Sequence, residues 1–442
     1  MIKLKNNELE FETLKSNKNR LYLLCGIVCV VVLLITIIVS NTFAKYRVTD
    51  TVPLINGEIN YKVPDLNMVS LYVANEEGAY IEEDVIPTSG YTLNTEQSYC
   101  GQSNNGEIVK DDTVNIVYEN GLVNVLGITK KGTKCYLYFD EKTETAGEQI
   151  LANYPSVLTR GDFSTTVTNT TTGTIYKSLD ETQYDNDGEV YYFAGNPTDN
   201  WVQFGGFYWR IVRINGDGSV RLIYSGDSES GPVTRGNSTQ IGTSAFNSKN
   251  QYSYYSGLVY DTSQHGYGIN STIMEELNLW YINYLKKFEE YLAVSVQFCS
   301  DRDVTDGYSW SAEPYFLTYA GNGRLLSNKT PIFKCVNDKD QLSKSNGKLS
   351  NPIGLISADE VAFAGGVMTI NNTSYYLYTG QMCWTMSPYS FQNMARVFSI
   401  GTGGDLDNDY VSVVSGVRPV INLSSDVQIT GSGTTSDPYE VQ

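Results

Sequence analysis

The feature that most constrains this chain is an uncharged apolar run close to its start. Residues 21–44 read LYLLCGIVCVVVLLITIIVSNTFA, with no charge and almost no polar group through Val39. About twenty such residues cross a bilayer core as a helix. A helix is the form that pairs its own backbone groups in lipid. The run therefore reads as a transmembrane helix dividing a short tail, residues 1–20, from nearly all of the chain. Lys15, Lys18 and Arg20 precede it and place the tail in the cytoplasm. Thr42-Phe43-Ala44 also fits a signal-peptidase site ahead of Lys45. The chain is thus expected to be single-pass in the plasma membrane with its bulk outside the cell, or secreted after cleavage following Ala44.

That placement governs how the seven cysteines are read. Cys25 and Cys29 lie in the apolar run. Cys100 and Cys135 fall in the first soluble segment, Cys299 and Cys335 in the second, and Cys383 is left over. Two pairs, each confined to one segment, fit disulfides in an oxidising exterior. Closing a loop of about 35 residues would stabilise a small domain by about 3–4 kcal/mol. No CxxC spacing occurs, which argues against zinc. The formal net charge of −18 offers no basic patch and excludes a nucleic-acid partner.

The soluble part reads as β-rich α+β. The chain has 34 Tyr and 39 Gly against 12 Pro, a usage that favours strands joined by turns. Residues 45–164 carry short alternating runs broken by Glu-Glu-Gly, Asn120-Gly121 and Lys-Lys-Gly, the pattern of a small β-sandwich-like domain. Residues 165–174, TTVTNTTTGT, are polar and of low complexity, and are expected to be a linker. The second domain, 175–442, holds the clearest hairpin, where 207–214 and 219–224 alternate around Asn215-Gly216-Asp217-Gly218. Residues 226–269 are polar and are expected to loop over the surface. Residues 271–293 form a helix capped by Asn270 or Ser271, with a core stripe of Ile273, Leu277, Trp280, Tyr284, Phe288 and Leu292. A strand at 353–356 leads to a short helix over 357–366 ended by glycine, then to strands in YYLYTG, CWTMSP, ARVFSI, YVSVVSG and VRPVINL.

Four stretches carry a resemblance: FGGFYWRIVRINGDGSVRLIYSG, the helix followed by QFCSDRD, GLISADEVAFAGG, and YTGQMCWTMSP with GVRPVINL. Together they resemble an uncharacterised family of N-terminally anchored surface proteins of Gram-positive gut bacteria, over about residues 190 to 435. NTFAKY and IPTSGYTLNTEQSYC look similar to the same proteins. The second domain also loosely resembles the C-type-lectin-like fold, including its formylglycine-generating-enzyme branch. That resemblance implies that Trp384, Ser387, Pro388 and the later Gly416, Val417, Arg418 and Pro419 belong to core strands. The lectins' Glu-Pro-Asn, Gln-Pro-Asp and Trp-Asn-Asp motifs are absent, as is the enzymes' cysteine pair. The resemblance therefore implies a scaffold and not a chemistry.

Catalytic signals are few. His265 is the single histidine, and no HExxH, GxSxG or phosphate-loop pattern occurs. Asp301 with Asp303 is the acid pair weighed for glycoside hydrolysis, against chance in so acidic a chain. Asp405, Asp407 and Asp409 alternate in GGDLDNDY and are the candidate Ca²⁺ ligands, although Tyr410 and Gly416 stand where an EF-hand has glycine and glutamate. Asp185, Asp187 and Glu189 are a weaker set. Cys383 has no basic neighbour in sequence to activate it. Trp384 and Tyr389 are candidate ligand-binding aromatics, with core packing as the alternative. The expectation is a non-catalytic surface protein binding a glycan or protein ligand. A structural subunit of the envelope or of a surface polymer, and an extracellular hydrolase, are the alternatives.

Overall fold

The structure is a computed structural model that describes residues 59–61, 68–75, 78–87, 91–104, 107–119, 122–127, 132–141, 144–263, 268–311 and 313–442. The expected membrane segment, 21–44, and His265 lie outside the described residues. Among the described residues no helix is long and apolar enough to cross a membrane. The chain forms two compact units, Met1–Thr143 and Glu144–Gln442.

In the first unit the strand Lys134–Glu141 organises the packing. Its side chains alternate, so Cys135, Leu137 and Phe139 are buried while Tyr136 and Tyr138 face outward. Met68–Ala74 pairs with it in parallel, Tyr99–Asn104 and Tyr91–Leu93 antiparallel. Tyr80–Glu83 and Glu107–Lys110 complete this six-stranded sheet at its edges. A three-stranded sheet of Ile59–Tyr61, Leu122–Leu126 and Asn115–Glu119 brings Val123 and Val125 onto Leu71, Leu137 and Phe139 in one core. The strands on either side of Asn120-Gly121 pair antiparallel, as the dipeptide predicts. Cys100 and Cys135 sit opposite each other on adjacent strands and form the expected disulfide.

The second unit is built on the hairpin Phe207–Ile214 and Val220–Asp227. Its strands are buried along nearly their whole length. They join a nine-stranded sheet in which Val220–Asp227 also pairs with Val420–Leu423. A second, six-stranded sheet is ordered Gly242–Ala245, Val414–Val417, Cys383–Gln392, Ala395–Ile400 and Leu406–Tyr410, with Phe316–Thr318 added to Cys383–Gln392. Helices Thr272–Tyr284 and Ala358–Ala364 share one core with both sheets. Ser271 caps the first, accepting from Met274 N–H. Ser357 and Glu360 form a capping box on the second, and Gly365 ends it at φ 111°. Cys299 and Cys335 form the second expected disulfide.

Several sequence expectations are corrected. The units divide at Thr143 and Glu144, not at residues 165–174. Helix Ala146–Leu151 buries Ala146 and Ile150 in the core of the second unit, and Gly147 N–H donates to Gly218 O at 2.9 Å. The threonine-rich stretch is not a free linker, because Thr170–Thr171 pairs with Asn196–Pro197. Residues 226–269 are not a plain surface loop, since they contain the strand Gly242–Ala245 and bury Phe246 and Leu258 completely. The long helix stops at Tyr284. A 3-10 turn, Lys286–Tyr291, follows, in which Phe288 leaves helical dihedrals at φ −110° and packs against Phe204 at 5.6 Å. YYLYTG forms turns, not a strand, and buries Tyr375, Tyr376 and Leu377.

Candidate functional site

Helix Thr272–Tyr284 carries two stripes. Ile273, Met274, Leu277 and Tyr281 point into the core. Glu276, Leu279, Trp280 and Asn283 recur at i, i+3, i+4 and i+7, so they share a second face. That face looks across a groove of about 180 Å³ onto Ile241, Gly242, Thr243 and Ser244. The strand wall, Gly242–Ala245, lies at the end of its sheet and pairs with Val414–Val417 alone. One end of the groove is closed by hydrogen bonds: Phe246 O accepts from Ile273 N–H at 3.1 Å, and Thr272 Oγ1 from Ser248 N–H at 2.9 Å. The far end is marked by Tyr284, which is 50% exposed.

Aromatic packing fixes the floor. Trp280 has Phe207, Trp209, Tyr224 and Tyr284 at centroid distances of 5.0, 6.3, 6.0 and 5.7 Å. These rings hold Trp280 half-buried and rigid, which lowers the entropy cost of using it in binding. Burial, with Asp227 nearby, pushes the Tyr224 phenol up to about 12, so it is uncharged at neutral pH. Leu279 is 58% exposed. Of the described residues that line the groove, Glu276 alone carries a charge.

The sequence-predicted site residues lie elsewhere. Trp384 is fully buried and therefore cannot stack on a ligand; its Nε1 donates to Ser244 O at 3.0 Å and braces the groove strand from within. Tyr389 is half-buried and meets Phe398 edge-on at 4.9 Å, away from the groove. Asp407 and Asp409 lie on the strand Leu406–Tyr410, with Asp405 immediately before it. Alternate strand positions are about 6.6 Å apart. Asp407 accepts from Asn408 N–H and Asp409 from Tyr410 N–H, while Asp405 packs over Gly401, so the three do not converge on an ion. Among the described residues no group of three or more His, Cys, Asp or Glu is arranged to hold a metal. Asp185 accepts from the N–H groups of Asp187, Gly188 and Gly216, and Glu189 pairs with Lys177. Both are engaged in holding turns and strands.

The acids near the second disulfide are also structural. Arg324 donates to Asp301 at 2.7 Å and to Asp359 at 2.7 and 2.8 Å. Asp303 accepts from Asn337 at 3.2 Å. Asp301 and Asp303 are thus taken by different partners and do not make the facing pair that glycoside hydrolysis uses. Deeper in, Glu360 is shared by two buried arginines, Arg221 at 2.6 Å and Arg213 at 3.1 Å. Cys383 is buried. The fold brings Arg418 to it, which sequence distance hid, yet burial outweighs that cation and pushes the thiol up. An uncharged buried thiol is a poor nucleophile.

Sequence reasoning missed the groove for two reasons. Gly-Thr-Ser-Ala has no apolar alternation to announce a strand. Trp280 matches a core stripe at helical spacing, and only the angle between the two stripes separates core from groove. The one usable signal was excess: a helix carrying Leu279, Trp280, Ile282 and Tyr284 outside its buried set has more apolar faces than a single core contact needs. Set against known proteins, the chain matches no family model, no curated protein and no solved structure.

Proposed function

We propose that this is a cell-surface binding protein: a helix over residues 21–44 anchors it, the first unit is a β-sandwich-like spacer, and the second is a C-type-lectin-like recognition domain for a glycan or protein ligand. The observation that carries the reading is the groove between Gly242–Ala245 and Thr272–Tyr284, a concave, largely apolar recess with a rigid aromatic floor and few polar groups. The burial of Trp384 in the strand Cys383–Gln392 supports the C-type-lectin-like scaffold, whereas Arg418 is buried between the strands Val414–Val417 and Val420–Leu423 and not within one. The two disulfides support an oxidising compartment. The test is to probe glycan and surface-protein arrays with the full chain in detergent, alongside Leu279→Asp. A ligand bound by the native chain and lost by the variant is expected; no ligand, or one indifferent to Leu279, refutes the reading.

The envelope-subunit alternative draws on one observation. Edge strands Tyr80–Glu83 and Glu107–Lys110 of the first unit expose Ile81 and Val109 at 49% and 55%. Exposed apolar edges invite strand-to-strand assembly. Sedimentation of the full chain across a wide concentration range decides it, and a single monomeric species at every concentration removes it.

A further inference from the structure

We infer that the groove takes an extended polypeptide, which adds to the free edge of Gly242–Ala245 as an extra β-strand, sets an aliphatic side chain on Leu279 and Trp280, and offers a basic side chain to Glu276. The inference rests on the binding reading above and names the class of partner.

Five observations lead to it. First, Gly242–Ala245 has a strand partner on one side only. An edge strand presents backbone donors and acceptors that an incoming strand satisfies, and a helix alongside supplies side-chain pockets. Second, the lengths match. Four strand residues span about 13 Å, and the helix from Glu276 to Asn283 rises about 10 Å, so the two walls together take a segment of roughly four residues. Third, a Cβ built on Gly242 meets nothing within 4 Å. Glycine at an edge with open space beside it is where another backbone approaches closely. Fourth, the exposed groups around the groove are aliphatic as well as aromatic. Leu279, at 58%, is the most exposed apolar side chain lining it, whereas Trp280 is already surrounded by Phe207, Trp209, Tyr224 and Tyr284. A sugar ring needs a free aromatic face, which Tyr284 alone offers, at the far end. An aliphatic side chain needs the surface that is present here. Fifth, Glu276 is the one charge among the described lining residues, on a chain of net charge −18. Complementarity therefore selects a lysine or arginine on the incoming strand.

The competing reading is that the helix merely shields the sheet edge. The two separate on backbone chemistry. A set of fluorescein-labelled hexapeptides that alternate valine or leucine with lysine, arginine or threonine is titrated by anisotropy against the full chain in detergent. At least one member is expected to saturate, and to weaken by about tenfold or more with Leu279→Asp and with Glu276→Lys. Both replaced side chains line the solvent-facing groove, and circular dichroism checks that each variant folds. N-methylation of alternate residues supplies the second arm: one methylation phase is expected to abolish binding and the other to leave it. Binding that is insensitive to both phases means side-chain capture without strand pairing and overturns the inference. So does the absence of saturable binding by any peptide. If an array ligand is nevertheless lost with Leu279→Asp, the binding reading survives and the strand inference alone fails. If a glycan competes for the groove, the class of ligand is wrong.

Discussion

The two units use almost the same covalent device and depend on it differently. Cys100–Cys135 and Cys299–Cys335 are separated by 35 and 36 residues. In the first unit the bridge lies inside the core, where Cys100 and Cys135 stand among a few buried partners such as Leu71, Leu137 and Phe139. In the second it ties the two-residue strand Phe298–Cys299 to the loop at Cys335, beside a core that already buries Trp201, Trp209 and Trp384 completely. A small core leaves little reserve, so a staple decides whether it folds. A large core can absorb the same loss. The outer face of the first unit repeats the lesson: Tyr72 stacks on Tyr138 at 4.7 Å and Tyr99 on Tyr136 at 5.1 Å, cross-strand pairs that stitch a sheet its interior holds weakly.

The largest effect expected is in the second unit, where buried charge adds to the core. Glu360 is the shared partner of Arg213 and Arg221, and all three side chains are at most 7% exposed. Glu360→Ala leaves the Arg221 guanidinium without its paired carboxylate, leaves Arg213 with Asp185 alone at 3.4 Å, and removes half of the Ser357 capping box, a loss of about 3–5 kcal/mol. The five tryptophans all lie in the second unit, so their emission in urea reports it alone. A loss below about 1 kcal/mol would show that the network is dispensable. Next come the bridges. Replacing both cysteines of either pair by serine releases a loop of similar length and costs about 3–4 kcal/mol in each case. The consequence should differ. Without Cys100–Cys135, limited proteolysis is expected to digest the first unit while the tryptophan transition stays put. Without Cys299–Cys335, the second unit is expected to keep a cooperative tryptophan transition at a lower midpoint. Equal collapse of both units would break the comparison.

How much of this was legible in the sequence follows the range of the interactions. The hairpin Phe207–Ile214 with Val220–Asp227 was readable because alternation and the Asn-Gly-Asp-Gly turn are local. So were the Ser271 cap, the glycine that ends the short helix at Gly365 and both cysteine pairs. The unit boundary was not, because low complexity at residues 165–174 resembles a linker until Thr170–Thr171 finds Asn196–Pro197. The alternating aspartates looked like ligands because a strand and a chelating turn share a period of two. The groove was invisible because its strand is short and polar, and its helix face shows only after Ile273, Leu277 and Tyr281 have claimed the core.

The smallest effect, a pH slope, separates the units most cleanly. Burial pushes the Asp340 carboxyl up to about 7, against the hydrogen bond from Arg302 N–H and the Arg302 charge. An unfolded aspartate titrates near 3.9. Between about pH 4 and 7 the folded unit therefore holds a proton that the unfolded chain has lost, and stability falls as pH rises, by at most about 1.4 kcal/mol per pH unit. Burial also raises Asp301, with Arg324 opposing, and the sign is the same. Glu289 has the opposite sign but acts lower. Partial burial raises it, yet hydrogen bonds from Lys286, Lys344 and Tyr281 hold it down to about 2, so its contribution is lost only as pH falls below about 4. None of the described acids of the first unit is buried. The urea midpoint of tryptophan emission should thus be lower at pH 6.5 than at pH 4.5, and Asp340→Asn, which keeps an acceptor for Arg302 N–H, should flatten the difference. A native slope that survives Asp340→Asn unchanged would assign it to other groups, and a matching slope in the proteolysis of the first unit would erase the distinction between a unit held by buried charge and one held by its bridge.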